Sequence, residues 1–263
     1  MDPAGLIGLV VAFGAIFGAL LLEGADPMSI FLPAPLLLVW VGTLGVGLAG
    51  HTMKDALGAF AAVPRALRSK APEPDATVDV VVQLAERARR EGLLALEDAA
   101  REIEDPFLRD GLRSAIDGTD PEDLRLMLED RIASKRATER THAKYFQDMG
   151  GYAPTVGIIG TVISLVHVLE NLSDPASLGH SIAAAFVATL WGILSANVVW
   201  LPIGNRIRRI SDLECQQMEV TLEGLLAVQA GANPRLVGQR LRSLVPEQQG
   251  RKGKEKDKDK AAA

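Results

Sequence analysis

Tyr152–Leu169 (YAPTVGIIGTVISLVHVL) and Ile182–Pro202 (IAAAFVATLWGILSANVVWLP) decide the fold, because neither contains Asp, Glu, Lys or Arg. Each approaches the roughly 20 apolar residues that a helix needs to cross a bilayer core. Toward the N-terminus, Ile30–Gly50 (IFLPAPLLLVWVGTLGVGLAG) and Leu6–Leu22 (LIGLVVAFGAIFGALLL) repeat the pattern. This clumping says more than the total of 48% hydrophobic residues in 263, which a large soluble domain would also reach. The pattern predicts an all-α membrane protein with four transmembrane helices: two in 1–50, two in 150–203, and a helical cytoplasmic domain over 51–149 between the second and third. Met1–Gly5 (MDPAG) lacks a basic segment and carries Asp2, unlike a secretory signal.

The connections Glu23–Ser29 and Asn171–Ser181 contain no Lys or Arg, whereas Lys54, Arg65, Arg68, Lys70, Arg136, Arg140, Lys144, Arg206, Arg208 and Arg209 flank the other span ends. The positive-inside rule therefore puts the N-terminus, the middle segment and the C-terminus in the cytoplasm. The expected setting is a cell membrane. In the middle segment, apolar residues recur at Val78, Val81, Val82, Leu84 and Ala85, at Leu112, Ala115 and Ile116, and at Leu124, Leu126 and Met127, a helical rather than an alternating pattern. Pro72 and Pro74, Asp105-Pro106 and Gly118–Glu122 (GTDPE) mark its breaks. Residues 204–246 continue as an amphipathic helix, with Ile207, Ile210, Leu213, Met218, Leu222, Leu225 and Leu226 forming a stripe for packing on the bundle. Residues 247–263 are charged and low in complexity and are expected to be a disordered tail.

Small residues line one face of each late span. Gly157, Gly160, Thr161 and Ser164 fall at i, i+3, i+4 and i+7, and Ala185, Thr189, Gly192 and Ala196, at i, i+4, i+7 and i+11, form a small-residue stripe in the fourth. Such faces let helix backbones approach closely in lipid, within the chain or against a partner helix. What is missing matters as much. An ion-translocating protein ordinarily carries an intramembrane carboxylate, and none of these spans has one at mid-depth. Glu23 and Glu170 lie at span ends, and His167 is the only titratable side chain well inside an apolar run. Two classes stay open: a scaffold, or half of an ion pathway whose carboxylate comes from another chain. Thr161 and Thr189 suit the second, since a hydroxyl lines a hydrated path without a buried charge. Either would also serve by bonding its own i−4 carbonyl. Pro154 and Pro202 frame the region as hinges or as helix ends.

The stretches RREGLLALED (Arg89–Asp98), DPFLRDGL (Asp105–Leu112), DGTDPE (Asp117–Glu122), MGGYAPTVGIIGTVISLVHVLENL (Met149–Leu172) and ATLWGILSANVVWLPIGNRI (Ala188–Ile207) resemble the flagellar motor stator A subunits, MotA and its sodium-type relative PomA. The resemblance runs to about Gly231. It implies a complex of five A subunits around two B-type subunits that supply the membrane aspartate. It implies that ion passage at the A–B interface turns the A ring. It also assigns roles: Arg89, with Arg90 as neighbour, and Glu97 to contact with the rotor switch protein of the C-ring, Thr161 and Thr189 to the ion path, and Pro154 and Pro202 to its flanks. On a single helix Arg89 and Glu97, at i and i+8, would share a face unless Gly92 interrupts it.

The alternative within the same mechanism is an ExbB/TolQ-like energiser of envelope processes, which has three spans and a different loop arrangement. Enzyme chemistry has no foothold, with no Gly-rich phosphate loop and no GxSxG elbow. No catalytic or metal-ligating residues are expected: Cys215 is the only cysteine, and His51, His142, His167 and His180 are scattered. The expected partners are the B-type subunit, the rotor, further copies of this chain and the bilayer, not nucleic acid. No cofactor is expected beyond the transported ion, H+ by a small margin over Na+.

Overall fold

The computed structural model describes residues 4–68, 74–172 and 175–245, nearly all of them helical, with no strand among them. Lys70, Pro72 and the tail 247–263 lie outside the described residues. In chain order the helices are α1 (Ala4–Leu22), α2 (Pro33–Ala49), α3 (Met53–Arg68), α4 (Pro74–Glu91), α5 (Glu97–Glu102), α6 (Pro106–Ile116), α7 (Pro121–Glu170), α8 (Pro175–Leu194), α9 (Leu201–Gln229) and α10 (Pro234–Leu244). A π-helical turn, Ser195–Trp200, joins α8 to α9. Pro121–Glu170 and Leu178–Gln229 each contain a stretch long and apolar enough to cross a bilayer, and Ile7–Leu22 and Pro33–Ala49 are shorter apolar helices.

The described residues form two compact units: 4–68 with 135–172 and 175–213, and 74–134 with 214–245. This division differs from boundaries at 51, 149 and 204, because packing rather than the membrane edge groups the helices. α3 belongs with the apolar spans through an alanine face, Ala56, Ala59, Ala62 and Ala66, which packs in one cluster with Tyr145, Phe146 and Met149 of α7. Thr52 starts α3 by accepting from the Asp55 amide at 3.1 Å while donating to its carboxylate at 2.7 Å. α7 runs unbroken through position 150, where the sequence suggests a domain edge.

In the second unit the core is a conventional one of Val, Leu and Phe. Val78, Val81, Leu84 and Ala85 of α4, Leu112 and Ala115 of α6, and Leu222 and Leu225 of α9 meet in one buried cluster. The expected α7 stripe shifts. Leu124 is buried, but Leu126 and Met127 are 52% and 44% exposed, and the inward positions are Leu128 and Ile132. Spacing explains this: 124, 128 and 132 fall at i, i+4 and i+8, whereas 126 and 127 point away. Asp105 and Asn233 cap α6 and α10 by accepting from the amides of Phe107 (2.9 Å) and Arg235 (3.0 Å). Glu223 of α9 accepts from Arg125 (3.1 Å) and Arg240 (2.7 Å), which ties α9 to α7 and α10; the hydrogen bond to Glu223 raises the Arg125 pKa above its ordinary value.

Candidate functional site

The region that the sequence singles out is the crossing of the later part of α7 with α8, the π turn and the start of α9, whose residues belong to the first unit. Glycine makes this crossing. A Cβ on Gly157 would meet the Ala188 carbonyl oxygen at 2.8 Å and the Gly192 Cα at 3.1 Å. A Cβ on Gly192 would meet the Ala153 carbonyl at 2.8 Å and the Pro154 Cα at 3.3 Å. These are backbone obstacles, so larger residues fit only if the helices separate. Gly160 is closed in by Leu38 and Ala188, and Gly150 and Gly204 extend the seam, Gly150 against Leu201 and Gly204 against the Ala143 carbonyl. Gly157, Gly160, Gly192, Ala185 and Ala196 are buried within the chain, while Ser164 is half-buried. The sequence flagged six of these small residues but not Gly150 or Gly204, whose neighbours are too polar to suggest a lipid seam.

Thr161 and Thr189 face each other across the crossing. Their hydroxyls are in hydrogen-bond contact, and the Thr161 hydroxyl lies 2.9 Å from the Ala185 carbonyl and 3.3 Å from that of Gly157. A hydroxyl has one proton to donate. When Thr161 donates to Ala185, it accepts from Thr189, and the pair forms a short chain of oriented O–H dipoles. Both residues remain partly exposed, so this chain reaches the surface of the single subunit.

Pro154 and Pro202 lie inside helical runs, not at their ends. Pro154 packs its Cα near Gly192. Pro202 cannot donate to Val198, and its ring crowds that carbonyl. The backbone answers with the π turn, in which the Leu201 amide bonds the Ala196 carbonyl five residues back. Leu201 itself fills the notch left by Gly150. The buried Trp191 indole donates to the Ile30 carbonyl at 2.7 Å, fixing α8 to the turn before α2, a contact with no periodic signature in the sequence.

The charged candidates lie in the second unit. Arg89 and Arg90 are exposed in the last turn of α4. Gly92, at φ +86°, ends that helix, so Arg89 and Glu97 stand on separate helices and share no helical face. A 3-10 turn, Leu93–Leu96, whose Leu96 is fully buried, leads to Glu97. Glu97 is exposed and accepts from Arg101 at 2.9 Å. Among the described residues no three His, Cys, Asp or Glu side chains group as a metal site.

Long apolar helices locked by glycine define the class as an all-α membrane protein. The MotA/TolQ/ExbB proton channel family matches residues 99–220, and the motility protein A N-terminal family matches residues 6–92. Motility protein A of Bacillus subtilis (strain 168) is 34% identical over 251 residues, covering 94% of this chain and 92% of its own length. Chemotaxis protein PomA of Vibrio alginolyticus is 34% identical over 249 residues, covering 94% and 96%. The solved flagellar MotAB stator complex from Bacillus subtilis superposes with a TM-score of 0.86 at 33% identity, over 93% of this chain and 96% of that one. The chain belongs to the motility protein A family of flagellar stator subunits. Its work is ion-driven motility, not enzymatic turnover.

Proposed function

We propose that this chain works as the A-type half of a stator, crossing the inner membrane four times with both termini cytoplasmic, and converts ion flow into torque together with a B-type subunit. One observation carries this reading: the Thr161–Thr189 hydroxyl pair opens to the subunit surface in a glycine-locked crossing, and no span supplies a carboxylate at mid-depth. A chain of dipoles that reaches the surface suits an ion handed on by an acid on a neighbouring helix. The likeness to a solved MotAB complex supports a B-type partner for this one. Five copies around two B-type subunits is the assembly we favour, with protons as the ion. A unit charge moving through 100 mV releases about 2.3 kcal/mol, comparable to the gap between two packing states. Pro154 and Pro202 supply the hinges at which those states differ. Arg89, Arg90 and Glu97 then meet the rotor switch protein through exposed charges, which engage and release without a deep desolvation barrier.

The test is proton uptake by vesicles holding the chain with its B-type partner. Thr189→Val should lower flux at least tenfold, and Thr189→Ser should restore most of it. Equal flux in all three proteins would return the hydroxyl pair to a packing role. Uptake that follows a sodium gradient instead would change the ion and leave the path in place.

A further inference from the structure

The second unit holds a groove of about 480 Å3 that the stator reading does not use. Its floor is apolar: Leu84 and Leu108 are buried, and Val80 is 39% exposed within it. Its rim is acidic. Glu102 and Glu104 are both exposed, and Glu104 is followed by Asp105, whose carboxylate is already engaged as the α6 cap. The one cation on the rim, Arg87, is turned to Glu91 at 3.3 Å. The groove thus presents uncompensated negative charge above an apolar floor, a surface that suits lysine side chains, whose stems cover apolar atoms while their heads meet carboxylates.

The chain itself carries such a segment beside the groove. α10 packs on α4, with Gly238 close against Val82 and Arg242 paired to Asp79 at 3.0 Å. On α4, Asp79 and Val82 lie on the face next to Ala76, Val80 and Gln83, which line the groove. The residues after Val245 therefore start one helix face away from it. Residues 246–263 can reach about 60 Å when extended, far more than this requires. Between 251 and 260 they hold Arg251, Lys252, Lys254, Lys256, Lys258 and Lys260 against Glu255, Asp257 and Asp259.

We propose that the groove between α4 and the α5–α6 connection is the docking site of the chain's own basic tail, residues 246–263. The contact is intramolecular, electrostatic at the rim and salt-labile.

Cross-linking in the full-length protein, assembled with its B-type partner in detergent, tests this. Lys256→Cys is combined with Val80→Cys in one protein and with Leu126→Cys in another; Leu126 is exposed on α7 and does not line the groove, and the native Cys215 is fully buried and does not compete. A short bis-maleimide should join the Val80 pair at least tenfold faster than the Leu126 pair, within one chain by intact mass. Adding Glu102→Lys and Glu104→Lys should slow it about tenfold, as should roughly 0.5 M salt. Equal rates for the two pairs would overturn the proposal. So would products that join two chains, rates insensitive to the rim charges, or loss of the Val80 product when anionic vesicles are added at physiological salt.

Discussion

The two compact units hold themselves together in opposite ways. In the first, α7 meets the α8–α9 run through glycines whose would-be Cβ atoms fall 2.8 Å from carbonyl oxygens. In the second, α4, α6, α7 and α9 interlock Val, Leu and Phe side chains in a buried core. The solvent explains the difference. Lipid tails are as apolar as leucine, so burying a leucine between membrane helices yields little, and close backbone contact takes its place. In water the burial of apolar area is itself the driving term. The glycine-built unit carries the hydroxyl pair, and the leucine-built unit carries the exposed charges.

Breaking this contrast should give unequal effects. The largest is expected from Gly157→Leu or Gly192→Leu, where the obstacle is backbone: the crossing should not form, and assembled complex by size-exclusion chromatography should fall to background. Leu112→Ala, in the second unit, should cost about 3 kcal/mol of that unit's stability through the cavity it leaves, read as an earlier thermal transition. Charge reversal at Arg89 or Glu97 should leave assembly unchanged and reduce stall torque severalfold, since these side chains pack against no core; normal torque–speed curves in both would remove them from the rotor contact. Smallest of all, Gly45→Ala in α2 and Leu126→Ser in α7 should shift stability by no more than about 0.5 kcal/mol. Gly45 has nothing within 4 Å of an added Cβ, and Leu126 is already 52% exposed. A strong effect at Gly45 would mean that a partner chain, not this one, sets the packing there.

The apolar runs, the small-residue stripes and most of the second core were legible in the sequence because each is periodic. Ala185, Gly157 and Gly192 announce a close helix crossing by spacing alone, and Val78, Val81 and Leu84 announce a buried face. Other features have no local period. The sequence shows glycine at position 92 but not the backbone turn that separates Arg89 from Glu97. Proline at 202 reads equally well as a helix end; the π turn that lets the helix continue depends on hydrogen-bond offsets invisible to composition. Leu126 and Met127 look like core residues until the phase of α7 is fixed by Leu124 and Leu128. The hydroxyl contact between Thr161 and Thr189, 28 positions apart, needed the crossing itself.

The most direct test of the account is the torque of single motors, recorded by beads on filament stubs in cells lacking this gene and any duplicate stator gene, with filaments counted by electron microscopy. The account expects normal filament numbers, no rotation, and stepwise recovery of torque when the chain is re-expressed with its B-type partner. Motors that turn at full torque without it would contradict the central claim.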